Sequence, residues 1–238
     1  MISAAVHGAE GRMGRLVTDL VTGAADIELA GLVTEPGKGR GDFIGQDDMA
    51  SQLPVGCVII DFSLAKALDG LLEQGRRMGA PLVVGTTGYT DSQEQALVDY
   101  AKEFPVVRAA NFSIGIPALG MLLQLLARTL PGEFDAEQVE THHVTKLDKP
   151  SGTARALADS YQAIRGREVP THSQRLGGVI GEHTWTFSDQ EETLVLTHRA
   201  HSRKAFLRGV LPAVRFAAGR EPGLYGLTDL LQALGVEG

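Results

Sequence analysis

A short apolar run at residues 2–7 leads into Gly8-Ala-Glu-Gly-Arg-Met-Gly14. Residues 12–22 then place Met13, Leu16, Val17, Leu20 and Val21 at helical spacing. Strand, glycine turn and helix in that order leave few architectures open. Glycines at 8, 11 and 14 allow a tight turn and a close approach of backbone to phosphate. The helix beyond them offers free N–H groups and the positive end of its dipole. Short glycine patterns recur by chance, and the bland alternative is a ligand-free turn. Its place at the start of a βαβ unit gives this one weight. Arg12 and Arg15 add positive charge.

The rhythm continues. Residues 27–34 read as a strand. Residues 55–62 are a nearly continuous apolar run, as in a strand covered on both faces. A helix at 65–78, a strand at 81–85, a helix at 92–103 and a strand at 106–110 follow. Alternation of this kind predicts an α/β, doubly wound parallel sheet. It breaks after Asn111. Residues 116–129 form an apolar helix, 136–144 a strand, and 153–164 a helix with Ser151 as its N-cap. Residues 182–188 and 192–200 are strands joined by so short a connection that they must be antiparallel. Trp185 and Phe187 alternate there as core. Residues 166–181 read as a loop, and residues 204–218 and 227–234 as closing helices.

Composition excludes several classes. A formal net charge of −7 argues against a general nucleic-acid binder. No apolar run reaches the roughly 18 residues of a membrane span. The first residues read as a strand and not as a signal peptide. The single Cys57 reads as a buried structural residue, and no zinc spacing is present, so no metal is expected. A reducing cytoplasm fits.

Against that acidic background, Glu140-Thr-His-His-Val-Thr-Lys146-Leu-Asp-Lys-Pro-Ser-Gly-Thr153 is locally cationic. A small anionic ligand suits it. Histidine can donate a proton near neutral pH. Lysine can do so too, or bind a carboxylate. Gly152 and Thr153 at a helix start offer N–H groups and a hydroxyl. If the segment is extended, His142 and His143 face opposite sides. The alternative, a solvated pair of surface histidines, is disfavoured by so many polar groups ahead of a capped helix. Downstream, Arg203 is a candidate carboxylate clamp. His183 reads as structural before catalytic, and His7 as packing. Gly85-Thr-Thr87 and Ala109-Ala-Asn-Phe112 end strands and face the ligand crevice of an open sheet. Glu35 could take an adenine ribose, whereas Lys38 and Arg40 could meet a 2′-phosphate.

Taken together, these motifs resemble the 4-hydroxy-tetrahydrodipicolinate reductase (dihydrodipicolinate reductase) family nearly end to end. They include Asp61-Phe-Ser63, Ala110-Asn-Phe-Ser-Ile-Gly115, Pro150-Ser-Gly-Thr-Ala154, Gly181-Glu-His183 and Thr197-His-Arg-Ala200. The resemblance implies a Rossmann-like doubly wound parallel sheet plus a smaller α+β substrate domain with a mixed sheet. Residues 1–113 and 205–238 would bind the dinucleotide. Residues 114–204 would bind substrate and build a homotetramer, with hinges between the domains. It implies NAD(P)H-dependent reduction of a small dicarboxylate, (4S)-4-hydroxy-tetrahydrodipicolinate, in diaminopimelate and lysine biosynthesis. His142 and Lys146 would be catalytic; His143, Gly152, Thr153 and Arg203 would bind substrate. NADPH or NADH would meet Gly8, Ala9, Glu10, Gly11, Arg12, Met13, Thr34, Gly85, Thr86, Thr87, Ala109, Ala110, Asn111 and Phe112.

Two positions depart from the family pattern. Thr34-Glu35 stands where an acidic residue and Arg are usual, and Glu35 faces away from the ribose if strand alternation runs through it. Lys149 replaces Ala before Pro-Ser-Gly-Thr. Two other readings remain open at this stage: another two-domain Rossmann dehydrogenase, such as an aspartate dehydrogenase, and a non-catalytic NAD(P)-sensing protein.

Overall fold

The computed structural model describes residues 1–235. It divides into two compact units, Met1–Phe112 with Phe206 onward, and Ser113–Ala205.

The first unit holds β1 (Ile2–His7), α1 (Arg12–Thr22), β2 (Ile27–Thr34), β3 (Phe43–Gly45), α2 (Met49–Gln52), β4 (Val58–Asp61), α3 (Leu68–Met78), β5 (Leu82–Val84), α4 (Asp91–Ala101) and β6 (Pro105–Arg108). Their strands form a seven-stranded parallel sheet ordered β11-β6-β5-β4-β1-β2-β3, with β11 (Gly223–Tyr225) supplied from the chain's end. Successive side chains of a strand point to opposite faces. Ala4, Val6, Val58, Ile60 and Val83 enter one core, and Ala5, Ile59, Leu82 and Val84 enter the other. Helices cover both faces, which explains why these strands read as continuous apolar runs. Cys57 is fully buried, and burial pushes its thiol up to about 11, so it is inert.

The second unit holds α5 (Gly115–Thr129), β7 (Asp135–His142), α6 (Gly152–Arg165), β8 (Thr171–Arg175), β9 (Glu182–Ser188) and β10 (Thr193–Arg199). Its sheet runs β10-β9-β7-β8. The β7–β8 pair is parallel, while β7–β9 and β9–β10 are antiparallel, so the sheet is mixed. Leu119, Leu123, Leu157 and Tyr161 from the helices pack on Ala136, Trp185 and Phe187. Along β7 the buried face changes character. Ala136 is apolar, Gln138 is polar but satisfied by Trp185 Nε1 at 3.1 Å and the Ala154 carbonyl at 3.0 Å, and Glu140 and His142 follow. The sheet thus delivers ionisable side chains to one end of an apolar core.

Several expectations need correction. Residues 166–181 are not simply a loop, because they contain β8. The strands β3 and β11 have three residues each and give no periodic signal. Residues 55–57 precede β4 as a turn, with Val55 exposed. Residues 204–218 are not one helix. A 3-10 turn, Arg203–Leu207, precedes α7 (Val210–Ala218), and α8 (Leu227–Gly235) closes the described chain.

Candidate active site

In the first unit the carboxyl ends of β1, β4, β5 and β6 lie side by side, and the chain leaves β1 toward β2 on one side and reaches β4 on the other. That reversal creates a crevice. Backbone hydrogen bonds fix its rim. Gly8 N–H donates to Val33 O at 3.0 Å, Phe62 N–H to His7 O at 3.0 Å, Gly85 N–H to Asp61 O at 2.8 Å, and Ala109 N–H to Val84 O at 3.1 Å. The four turns singled out from the sequence are therefore braced strand to strand. A Cβ on Gly14 would lie 2.8 Å from Ala9 Cα, so only glycine lets α1 start this close to the turn. No side chain caps α1, which leaves its first N–H groups free for phosphate oxygens.

A cavity of about 300 Å³ opens beside this turn, lined by Gly8, Glu10, Gly11, Thr34, Glu35, Phe62 and Lys66 among others. Thr34 donates from its hydroxyl to Glu10, and Arg40 reaches Glu10 at 2.8 Å. Glu35 does not turn away. Strand β2 ends at Thr34, so alternation stops there, and Glu35 lines the same cavity. It is paired with Lys38 and, at 3.2 Å, with Lys66, a cation the sequence reading overlooked. Hydrogen bonds from those lysines hold its carboxyl below the usual range. His7 is more than packing. Its Nδ1 sits 2.7 Å from Asp61 Oδ1, both buried, beneath the glycine turn. The residues present fit a dinucleotide: an uncapped helix start, a glycine-only approach, Lys66 in the cavity lining, and Lys38 and Arg40 paired with the lining carboxylates Glu35 and Glu10.

In the second unit β7 ends at His142, and the two histidine rings part there. His143 turns outward, its Nδ1 2.7 Å from Thr145 Oγ1. His142 turns inward, 9% exposed. Its Nδ1 lies 2.5 Å from Glu140 Oε2. A carboxylate only accepts hydrogen bonds, so Nδ1 donates. Arg175 donates to both Glu140 oxygens, at 2.9 and 2.8 Å, and Ser151 N–H donates to Oε1 at 3.2 Å. Burial alone would raise the Glu140 pKa. The hydrogen bonds from Arg175, Ser173 and His142 outweigh it and hold the carboxyl at about 2. Nε2 of His142 faces Gly181. A Cβ there would stand 3.2 Å from that nitrogen, so glycine keeps it approachable.

The His142 and His183 rings meet edge to face, with centroids 5.5 Å apart and planes at 75°. Burial, then the neighbouring charges of His142 and His198, press the His183 pKa down to about 4, so it stays neutral at neutral pH. The His142 pKa is also lowered, first by burial, with Lys146 and Arg175 adding to it and Glu140 opposing. Lys146 Nζ pairs with Asp148 Oδ1 at 2.7 Å. Gly152 and Thr153 open α6, capped by Ser151 Oγ, which accepts from Ala154 N–H at 3.1 Å. The structure therefore gathers His142, His143, Lys146, Gly152 and Thr153 around the end of β7 and the start of α6. Arg203 opens the 3-10 turn, exposed and without an ion pair among the described residues. Lys149 is exposed as well, and nothing in the structure explains its replacement of Ala. Among the described residues no cluster of metal-binding side chains is present.

A family profile described as dihydrodipicolinate reductase, N-terminus, matches residues 2–112, and its C-terminal counterpart matches residues 115–231. The chain belongs to the dihydrodipicolinate reductase family. A 4-hydroxy-tetrahydrodipicolinate reductase from Stenotrophomonas maltophilia is 40% identical, covering 95% of this chain and 96% of that one. One from Alkalilimnicola ehrlichii is 37% identical over 95% of this chain and 97% of its own. Among solved structures, a dipicolinate-bound dihydrodipicolinate reductase from Paenisporosarcina sp. TG-14 superposes with a TM-score of 0.82 at 24% identity, covering 96% of this chain and 99% of that one. That last likeness is one of fold.

Membership in the dihydrodipicolinate reductase family removes the aspartate dehydrogenase and nucleotide-sensor readings. It does not by itself point to Arg175 or Lys66 in this chain. Glu140 carried a legible signal, since two residues before His142 on a strand is the same face. Arg175 carried none, because its strand read as loop.

Proposed function

We propose that this chain catalyses the NAD(P)H-dependent reduction of (4S)-4-hydroxy-tetrahydrodipicolinate to tetrahydrodipicolinate, with loss of water, in diaminopimelate and lysine biosynthesis. The observation that carries the reading is family membership through both halves of the chain. A pyridine nucleotide would lie against the glycine turn and α1, with Glu10 and Thr34 at the ribose end and residues 85–87 and 109–112 along the rim. It supplies the hydride. His142 supplies the proton, from Nε2, that quenches the charge left on the ring. Lys146 and the N–H groups of Gly152 and Thr153 hold substrate carboxylates, with His143 and Arg203 as further ligands. Dipicolinate, bound in the Paenisporosarcina structure, is a dicarboxylate of the class such groups suit.

The lowered pKa of His142 leaves the free ring mostly neutral near neutral pH. A dianionic substrate beside it raises that pKa and so protonates the acid when it is needed. The direct test supplies purified protein with the product of dihydrodipicolinate synthase and follows NAD(P)H absorbance. Oxidation dependent on that product is expected. Its absence, with folded protein and intact nucleotide binding, would overturn the reading.

Both nucleotides are expected to serve, within about one to two orders of magnitude of each other, because charge effects of ~1–3 kcal/mol partly cancel. Glu35 and Glu10 disfavour a 2′-phosphate, whereas Lys38, Arg40 and Lys66 offset them. The double variant Lys38→Ala/Arg40→Ala should raise the Kd of NADPH more than that of NADH. Equal losses in fluorescence titration would show that this loop does not read the phosphate. A homotetramer is consistent with exposed Leu122 and Leu125 on α5 and Val195 on β10, and sedimentation equilibrium reads it.

A further inference from the structure

Buried carboxylates are rare unless something holds them. Glu140 has no exposed side-chain surface, and its partner Arg175 only 6%. The pair lies directly behind the ring that the proposed reaction uses. It is also joined to the loop that carries Lys146. Arg175 Nε donates to the Lys146 carbonyl at 3.1 Å, and Arg175 NH2 donates to the Asp148 carbonyl. One guanidinium thus braces the carboxylate behind His142 and the backbone beneath Lys146. Neither contact is needed merely to fill the core.

We infer that Glu140 and Arg175 are positioning residues of this site: Arg175 locks the Glu140 carboxylate and the Lys146 loop in register, and Glu140 keeps a proton on His142 Nδ1 so that Nε2 alone exchanges protons with substrate. This rests on the reading of His142 as proton donor. A neutral imidazole can carry its proton on either nitrogen. With an ionised carboxylate 2.5 Å from Nδ1, only one tautomer is compatible with the contact. After Nε2 gives up its proton, the ring is left in that tautomer without rotation. An outer carboxylate that sets ring orientation and tautomer is a known device of histidine acid–base sites.

The groups facing His142 are Glu140 on its own strand, Lys146 beyond it, Arg175 on β8 and His183 on β9, with His198 on β10 acting on His183. Glu140 is the sole anion in that set. Its neutral isostere should therefore make the imidazolium less stable.

Glu140→Gln is expected to lower kcat by about 10²–10³-fold, short of the roughly 10⁴-fold loss known where tautomer control is removed outright. KM for the dicarboxylate and nucleotide Kd should stay within about threefold. The alkaline limb of the kcat/KM profile should move to lower pH by about one unit, since loss of a neighbouring anion lowers a histidine pKa. In wild type, nitrogen NMR of His142 above its pKa should show Nδ1 protonated and Nε2 bare. In Glu140→Gln the two forms should mix. Arg175→Lys keeps the charge but not the fork, and should lose kcat while Glu140→Gln/Arg175→Lys is no worse than Glu140→Gln alone.

A wild-type ring protonated on Nε2 would overturn the inference, even if no variant folds. So would an unaltered pH limb in Glu140→Gln. Normal turnover by His142→Gln would instead sink the reading of His142 as the acid, a separate failure.

Discussion

Replacing His142 with Gln should cut kcat by about 10²–10⁴-fold while nucleotide Kd stays within about twofold, the usual cost of removing a positioned acid. The size follows from the surroundings. His142 is the one ring in the cluster with both a fixed anionic partner on one nitrogen and a glycine-lined approach to the other. His183 cannot substitute, because burial keeps it neutral, with a pKa of about 4. His143 points outward, toward Thr145. Lys146 remains as a second cation, paired with Asp148, so some residual activity should persist. Steady-state and nucleotide-binding measurements on the same preparation check this. Turnover near that of wild type would remove His142 from the chemistry.

Arg175→Met should destabilise the second unit by about 3–5 kcal/mol, because it strands a buried carboxylate without its partner. The pair is bidentate, and neither member is appreciably exposed. The double replacement Glu140→Leu/Arg175→Met should recover much of that stability and none of the activity, since apolar groups tolerate the site but cannot orient His142. Urea unfolding and turnover, measured together, separate the two effects. The same pair sets an acid dependence. Glu140 titrates at about 2 in the folded chain, below its unfolded value near 4.5. Its stabilisation is therefore complete above about pH 4.5 and is lost as pH falls toward 2. Glu140→Gln should flatten that part of the stability curve.

Much of this arrangement is legible in the chain. The strand, glycine and helix pattern at residues 2–22 needs only local periodicity, and the structure places those elements at those positions. Ser151 caps α6 as its position before Gly152 implies. The separation of His142 and His143 follows from strand alternation alone. What escaped depends on partners distant in sequence. Arg175 joins the site because β8 pairs in parallel with β7, with His142 opposite Arg175. Lys66 joins the cavity because β4 adjoins β1. His7 looks like packing until Asp61 is brought to 2.7 Å from it. Glu35 defeats the alternation rule because its strand ends one residue earlier. Three-residue strands such as β3 and β11 are defined by hydrogen bonds to neighbours, not by their own pattern.

The most direct measurement of the central claim is a single turnover with nucleotide deuterated at the transferable position. Substrate is generated in place by dihydrodipicolinate synthase, in ordinary water. The account predicts one deuterium in each tetrahydrodipicolinate formed, for each nucleotide oxidised, in wild type, and the same labelling at a far slower rate in His142→Gln. Nucleotide oxidation that leaves no deuterium in the product, or no oxidation by folded protein, would contradict it.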